Sequence, residues 1–334
     1  MCPPISTDIA KIPARQKLSD WGEKSPATRL AEPTLRCFRG ERRMEVSERF
    51  EQLLGNIALT EAQKDDGTTK HKGVRNCLNQ AYYSLNSDTQ NSTLVGSWGK
   101  STRIRPPRDI DVLFVLPDAV YWRFQQRTGN KQSQLLQEVR YYLGQKYTNT
   151  NIRGDGPVVL IPFSTYAVEL VPGFKLDNGQ YWIPITTGGG SYKKFDPDAE
   201  IDHVKRSNDA TGGNARDLVR MLKCWQSYCN VPMKSFWLEL LAVEFLGGWQ
   251  FKGNSKTYYD WMVRDFFGFL KRKSYAYLTV PGTWELLGIG SDWLSKAESA
   301  YNRATKAVQY EADKLPFSAG GEWQKIFGTD IPTG

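Results

Sequence analysis

The fold is decided by residues 96–117, which read GSWGKSTRIRPPRDIDVLFVLP. The apolar run in this stretch lies between Pro107 and Pro117 and predicts a buried β-strand. Asp109 and Asp111 stand two positions apart in that strand, and side chains alternate between its faces, so both carboxylates point to the same side. Two carboxylates this close repel one another unless a cation lies between them. Mg²⁺ fits such a site, because it prefers hard oxygen ligands and substrate phosphates.

The residues before this strand predict a phosphate-binding turn. Gly96 and Ser97 end a short strand, and a turn at this point directs backbone N–H groups toward a phosphate. Four basic side chains follow: Lys100, Arg103, Arg105 and Arg108. A Walker A loop is excluded, because its first glycine would fall at position 94, which is Leu94.

A site for two metal ions needs a third carboxylate, and Glu169 is the best placed. It lies in the segment Tyr166-Ala-Val-Glu-Leu-Val-Pro172, which predicts a strand with apolar neighbours. A charge among such neighbours is costly unless it has a partner. Glu169 is therefore a candidate metal ligand together with the two aspartates.

The predicted secondary structure changes near residue 198, from mixed α/β to mainly helical. Besides the strand after Pro107, strands are predicted at 157–162, 164–171 and 179–185. A helical pattern opens at Met44, and further helices are predicted at 70–85, 132–147, 235–247, 257–273 and 293–314. Asn214 is expected to cap one more helix, which carries Leu218, Leu222 and Trp225 on one face.

Composition narrows the class of protein. The 334 residues are enough for roughly two domains at about 150 residues each. Two histidines, His71 and His203, make histidine-built zinc sites and a Ser-His-Asp triad improbable. Five cysteines without CxxC spacing fit reduced thiols in the cytoplasm. The net charge of +8 attracts phosphates but is modest for a nucleic-acid-binding protein, and the sequence has no apolar run of about 18 residues that could span a membrane.

The order of these features resembles the nucleotidyltransferases related to DNA polymerase β. More narrowly, it resembles the bacterial cGAS/DncV-like nucleotidyltransferases, which are relatives of the oligoadenylate synthases. The similarity covers about residues 44–330. It rests on Gly96-Ser97, Thr102-Arg-Ile104, Asp109-Ile-Asp111, Val168–Pro172, Phe195-Asp-Pro197, Asp217–Trp225, Ser235–Glu239 and Trp323–Gly328.

The resemblance implies a role for each candidate site residue. Asp109 and Asp111 would be catalytic and hold two Mg²⁺ or Mn²⁺ ions, and Glu169 would complete the second metal site, where many members have aspartate. ATP and other ribonucleoside triphosphates would be the substrates. The nucleotide-binding residues would be Gly96 and Ser97 at the triphosphate, Lys223 and Ser235 at phosphate oxygens, and Tyr192 at a base.

The resemblance also implies an α+β fold with two lobes, a mixed-sheet nucleotidyltransferase core and a mainly helical C-terminal lobe, with the active site between them. The expected parts are a basic, proline-containing, disordered leader (1–43), a catalytic domain (44–197), a helical nucleotide-binding domain (198–330) and a flexible tail (331–334). The leader is either a basic arm or an artefact of the assigned start, with Met44 as the true first residue.

The implied activity is synthesis of a cyclic di- or trinucleotide second messenger for antiphage defence. A monomer is expected, with no membrane association and no obligate nucleic acid. A ubiquitin-like E1/E2 system or a HORMA-type protein is a candidate partner at the tail. A template-independent RNA-tailing enzyme of the poly(A) or CCA-adding type would use the same carboxylates, but it needs a longer basic track than a charge of +8 provides. A protein-modifying AMP transferase and an inactive nucleic-acid-binding scaffold are further alternatives. The first leaves the helical half unexplained, and the second conflicts with three intact carboxylates.

Overall fold

A mixed sheet is built around the strand that carries the two aspartates. The computed structural model describes residues 44–334, so the leader predicted for residues 1–43 lies outside the described residues. The strands are β1 (Ser92–Leu94), β2 (Asp109–Val115), β3 (Arg153–Asp155), β4 (Val158–Pro162), β5 (Ala167–Lys175), β6 (Tyr181–Ile185) and β7 (Ser191–Phe195). Their order begins β1-β2-β5-β4-β3, and the far end of β5 pairs with β6, which pairs with β7. The β2–β5 pairing is parallel and the other pairings are antiparallel.

Helices cover the sheet and form the second half of the chain. They are α1 (Val46–Ile57), α2 (Glu61–Tyr83), α3 (Gly96–Gly99), α4 (Asp118–Gln125), α5 (Lys131–Lys146), α6 (Pro197–Ala210), α7 (Asn214–Tyr228), α8 (Ser235–Gly248), α9 (Tyr259–Leu270), α10 (Leu294–Ala312) and α11 (Pro316–Phe327). A hairpin of β8 (Tyr277–Thr279) and β9 (Leu286–Gly288) lies between α9 and α10. No helix among residues 44–334 is both long and apolar enough to cross a bilayer.

Two hydrophobic cores define two lobes, as expected from the sequence. One core lies between the sheet and α2, α4 and α5. The other unites α1 with α7 to α11. The lobes do not follow chain order, because Phe50 of α1 is fully buried against Trp323 of α11, with ring centroids 5.2 Å apart. The domain predicted over 44–197 therefore contributes its first helix to the helical lobe.

Several elements differ from the sequence-based expectation for local reasons. The helix expected at 70–85 begins at Glu61, because Thr60 and Gln63 form a capping box before the polar first turns. β5 continues through Pro172, which falls between the residues that pair with β4 and those that pair with β6, so its missing N–H breaks neither antiparallel pairing. Helices α4, α6 and α11, strands β3 and β7, and the hairpin of β8 and β9 were not predicted.

The expected cap at Asn214 is wrong. Gly213 occupies the N-cap position with φ of 101°, and Asn214 is the first residue of α7. The Asn214 amide instead donates to the carbonyl oxygens of Lys252 and Asn254, at 2.8 and 2.9 Å. Its side chain therefore ties α7 to the loop before α9.

The C-terminal residues are packed rather than flexible. Ile331 is fully buried, and its carbonyl accepts a hydrogen bond from the Gln324 side chain at 2.9 Å. The Pro332 carbonyl accepts one from Arg49 of α1 at 2.5 Å. The flexible tail expected over 331–334 is corrected on this point, because its backbone has partners in the helical lobe.

Candidate active site

The three predicted carboxylates lie on one face of two neighbouring strands. Asp111 of β2 is the register partner of Glu169 of β5, and Asp109 stands two positions before Asp111. Register partners in a sheet point to the same face at a strand spacing of about 4.8 Å. The alternate residues Ile110 and Val112 are fully buried on the opposite face. The sheet thus holds all three acids on the face that looks into the cleft.

Burial and mutual repulsion raise the pKa values of two of these acids. For Asp111, burial and then the charge of Asp109 raise the pKa to about 6. For Glu169, burial and then the charges of Asp109 and Asp111 raise the pKa to about 7. None of the three makes an ion pair with a basic side chain among residues 44–334. The three acids therefore have no basic side chain in direct contact with them, although the charges of Lys100 and Lys223 act on Asp111 from further away.

Stability of the metal-free protein should fall as pH rises from about 4 to about 7. The folded state holds Asp111 and Glu169 protonated at pH values where the unfolded chain, with pKa values of 3.8 and 4.5, has released those protons. Each pKa unit by which folding raises an acid costs about 1.4 kcal/mol above that range. Urea unfolding in EDTA at pH 5 and pH 8 measures how far the free energy of unfolding falls with pH. The fall should be smaller in Asp111→Asn than in the wild type. An equal fall in wild type and variant would contradict the raised pKa of Asp111.

A cleft between the lobes encloses about 420 Å³ over these acids. Nucleotide-sized ligands occupy pockets of roughly this volume. Asp109 and Asp111 line it, whereas Glu169 lies beside Asp111 outside the lining set. Among residues 44–334 no three metal-ligating side chains already converge on one point. The two aspartates therefore lie in the wall of the cleft, and Glu169 lies next to Asp111 on the same face of the sheet.

The predicted glycine–serine turn borders the acids directly. Gly96 has φ of 53°, and a side-chain carbon there would overlap the Asp111 carboxylate. Glycine is thus required both by the backbone conformation and by the close approach. Ser97 follows as the second residue of α3, and both residues line the cleft.

The helical lobe contributes the two other predicted phosphate ligands. Lys223 of α7 and Ser235 at the start of α8 line the cleft. The Lys223 ammonium donates to Glu239 at 2.7 Å and to Thr102 at 2.9 Å. The Ser235 hydroxyl donates to Gln226 at 2.8 Å. Both side chains are thus held by the protein itself.

The structure does not bring Tyr192 to the cleft. Tyr192 lies on the face of β7 that packs against the core of the sheet lobe, where its ring centroid is 5.5 Å from that of Tyr121 and 6.0 Å from that of Phe174. Phe195, three positions on, lies on the other face and lines the cleft. The base contact expected of Tyr192 is corrected on this ground, because adjacent side chains of a strand alternate between faces.

Sequence reasoning missed two acids at the base of the cleft, Glu200 and Glu239. Glu200 and Glu239 line it together with Lys100, whose ammonium contacts both carboxylates. Glu239 interrupts the apolar run of α8, and an acid among apolar helix residues was the available signal. Arg103 and Arg108 line the cleft without an ion-pair partner in the described part of the chain.

Comparison with known proteins fits this geometry. Residues 44–208 match the family described as Second Messenger Oligonucleotide or Dinucleotide Synthetase domain. Residues 44–208 thus belong to the bacterial cGAS/DncV-like nucleotidyltransferases. A probable cyclic nucleotide synthase of Bacillus cereus (strain VD146) is 22% identical over 275 residues, which are 71% of this chain and 81% of that protein.

Solved structures of this family share the two-lobed fold. CdnC of Escherichia coli MS115-1 with ATP has a TM-score of 0.61 at 19% identity, covering 87% of this chain and 99% of that one. CdnC in complex with HORMA-deltaN has a TM-score of 0.60 at 18% identity, covering 86% and 98%. The DncV cyclic AMP-GMP synthase of Vibrio cholerae, with a linear intermediate, has a TM-score of 0.60 at 15% identity, covering 86% and 87%. The α+β, two-lobed nucleotidyltransferase fold predicted from the sequence is confirmed.

Proposed function

We propose that this nucleotidyltransferase joins ribonucleoside triphosphates, ATP among them, into a cyclic di- or trinucleotide and releases pyrophosphate. The observation that carries the proposal is the placement of Asp109 and Asp111 at the floor of a nucleotide-sized cleft, beside the glycine–serine turn of α3. The product would serve as a second messenger in antiphage signalling in the cytoplasm. The family match and the cyclic nucleotide synthases among the relatives favour this activity over RNA tailing.

The acid face fits Mg²⁺ or Mn²⁺ as the cofactor. Its donors are hard carboxylate oxygens. Burial and then the charges of the neighbouring acids raise the pKa values of Asp111 and Glu169, and divalent cations would relieve both effects. Asp109, Asp111 and Glu169 would hold two ions. When bound, the ions supply positive charge at the phosphates and at the attacking ribose hydroxyl.

The protein's own residues would bind and orient the nucleotide. The backbone of Gly96 and the hydroxyl of Ser97 would contact the triphosphate, with Lys223 and Ser235 on the opposite side of the cleft. Three acids and a triphosphate repel one another, so the cleft needs basic side chains near the phosphates. The exposed Arg108 beside Asp109 can offset part of that repulsion.

An apolar wall beside the acids would take a base. Phe195, Ile183 and Val171 line the cleft on the face that carries the carboxylates. Stacking is tolerant of base identity, in keeping with a synthase that uses more than one triphosphate.

A matched pair of variants tests this wall. Stacking on a ring contributes about 1–3 kcal/mol per base, so Phe195→Leu should raise KM for a triphosphate by about tenfold. Tyr192→Leu removes a ring from the opposite face of the same strand, and should lower stability by about 1–2 kcal/mol while KM stays within about twofold. Steady-state kinetics and thermal unfolding measure both. A larger KM effect at Tyr192 than at Phe195 would reverse the assignment.

A HORMA-type partner is part of the proposal, because the CdnC relative was solved with one. The packing of the C-terminus limits attachment by a ubiquitin-like E1/E2 system. Attachment of residue 334 by a ubiquitin-like system would require the last residues to leave their contacts with Arg49 and Gln324. Co-purification of the chain with proteins encoded beside it tests either partner, and a monomer alone in every preparation would contradict both.

The activity is tested by incubating the protein with Mg²⁺ or Mn²⁺ and four labelled ribonucleoside triphosphates, followed by phosphatase. A phosphatase-resistant product is expected, because a ring has no terminal phosphate. Leaving out one triphosphate at a time identifies its bases. A ladder that grows only on added RNA would replace the proposal with the tailing activity.

A further inference from the structure

Both lobes contribute charged side chains to one network under the cleft. Lys100 and Thr102 come from the segment that follows α3 in the sheet lobe. Lys223 and Glu239 come from α7 and α8 of the helical lobe. Glu239 accepts hydrogen bonds from Lys223 at 2.7 Å, from Thr102 at 2.9 Å and from Lys100 at 3.0 Å. This one carboxylate therefore joins the two lobes at the base of the cleft.

Glu239 is charged although it is buried. Its side chain is 4% exposed. Burial alone would raise its pKa, but the charges of Lys100 and Lys223 outweigh burial and hold the pKa at about 2. Burial alone would lower the pKa of Lys100, and Glu239 together with Glu200 outweighs it. Glu239 and Lys100 thus depend on their ion-pair partners for their charges, and removing one partner leaves a buried ion uncompensated.

Counting hydrogen-bond donors shows what the network leaves free. An ammonium group has three N–H donors. Lys223 directs two of them at Glu239 and Thr102, and Lys100 directs two at Glu239 and Glu200, the latter at 2.8 Å. Among residues 44–334 one N–H of each ammonium group has no hydrogen-bond acceptor, and both lysines line the cleft. The Lys100 ammonium also lies over the ring of Phe236, another lining residue, with its nitrogen 4.4 Å from the ring centroid.

The charges of the network show that Glu239 acts by orienting the two lysines and not by attracting an anion. Two ammonium groups and the two carboxylates Glu200 and Glu239 sum to zero, so the network adds no net charge that would draw in an anion. Without Glu239 the two ammonium groups would face each other across the base of the cleft and repel. The contribution of the carboxylate is therefore the direction in which the lysines point.

We propose that Glu239 is a positioning residue that divides its two oxygens between Lys100 and Lys223 and so aims the remaining N–H of each lysine at the terminal phosphates of the bound nucleotide. This inference rests on the proposed function for the identity of the ligand, a nucleoside triphosphate. It adds Lys100 to the phosphate-binding groups and assigns Glu239 a role that acts through both lysines.

Replacement of Glu239 by glutamine breaks this arrangement with little change in shape. Glutamine has one oxygen, so its amide N–H₂ must face one of the two ammonium groups as donor against donor. That lysine must turn away from position 239. Contacts to the terminal phosphates would weaken, whereas contacts to the base, the ribose and the α-phosphate would not.

The test compares equilibrium binding of two probes by calorimetry in Mg²⁺, α,β-methylene ATP and AMP. AMP lacks the terminal phosphates and so reports the rest of the site. Glu239→Gln should weaken binding of the triphosphate by about tenfold, as expected for one lost hydrogen bond to a charged group, and binding of AMP by less than about twofold. Glu244→Gln is the control, because Glu244 lies on α8 but is exposed and pairs with Lys273. It should change neither.

Equal losses for both probes would show that Glu239 only supports the fold, and unchanged or tighter triphosphate binding would show that net charge outweighs orientation. Either result overturns the inference. If Glu239→Gln does not fold, Glu200→Gln decides, because Glu200 holds Lys100 alone and its side chain is 11% exposed. It should give a triphosphate-selective loss of about threefold, and no selective loss would overturn the inference. Because binding needs no turnover, a chain that binds selectively but forms no cyclic product would contradict the proposed function alone.

Discussion

Asp111→Asn is expected to lower kcat by about a thousandfold while the protein folds normally. Loss of a metal-binding carboxylate removes several kcal/mol of charge stabilisation in the transition state, and about 4 kcal/mol corresponds to that factor. The same change should stabilise the metal-free protein at pH 8, because Asp111 lies half-buried among acids that repel it. We expect one substitution to lower activity and raise stability, because the acids that repel one another in the metal-free protein are the ones that bind the metal ions.

Labelled-product yield and urea unfolding measure the two effects on one preparation. Asp109→Asn should behave alike in activity. Asp118→Asn is the matched control, since Asp118 follows the same strand but is exposed at the start of α4. It should keep full activity. Activity within about tenfold of wild type in Asp111→Asn would remove the aspartates from the chemistry.

Arg49→Met is expected to give the largest loss of stability, about 3–5 kcal/mol, because it breaks a buried ion pair from one side. Arg49 is fully buried in α1. It donates to Glu311 of α10 at 3.0 Å, and to the carbonyl oxygens of Pro316 and Pro332 at 2.9 and 2.5 Å. Methionine fills a similar volume but leaves Glu311 and both carbonyls without these hydrogen bonds.

Thermal and urea unfolding measure this loss, and hydrogen exchange of the last residues reports release of the C-terminus. Arg303→Met is the matched control. Arg303 pairs with Glu322 at 3.1 Å, but its side chain is 39% exposed, so the loss should stay below about 1 kcal/mol. Similar losses for the two variants would mean that burial of Arg49 adds nothing to its ion pair.

The position of Asp109 and Asp111 on one face could be predicted from the sequence, because it depends only on the alternation of side chains along a single strand. Asp109 and Asp111 alternate with buried residues, and a period of two places both on one face whatever the neighbouring strands are. Glu169 required one further step, that its segment is a strand. The register that pairs it with Asp111 is a property of the folded sheet alone.

The outcomes at Tyr192 and Glu239 show where such reasoning ends. The segment Ser-Tyr-Lys-Lys-Phe of β7 has no apolar alternation, so its strand was missed and no face could be assigned to Tyr192. Glu239 gains its partners from earlier parts of the chain, Thr102 at a separation of 137 residues and Lys223 at a separation of 16. Local pattern can mark such an acid as unusual, but only the packing of two lobes supplies the lysines that keep it charged.

The central claim, that the cleft closes a ring of nucleotides, is tested most directly by the pyrophosphate released per triphosphate consumed, in a reaction without RNA. A cyclic product requires one pyrophosphate for every triphosphate, because every α-phosphate ends in an internal phosphodiester. A linear dinucleotide releases one for every two. We expect the first ratio in the wild type and no release from Asp111→Asn. A ratio near one half, or release that begins only when RNA is added, would contradict the claim.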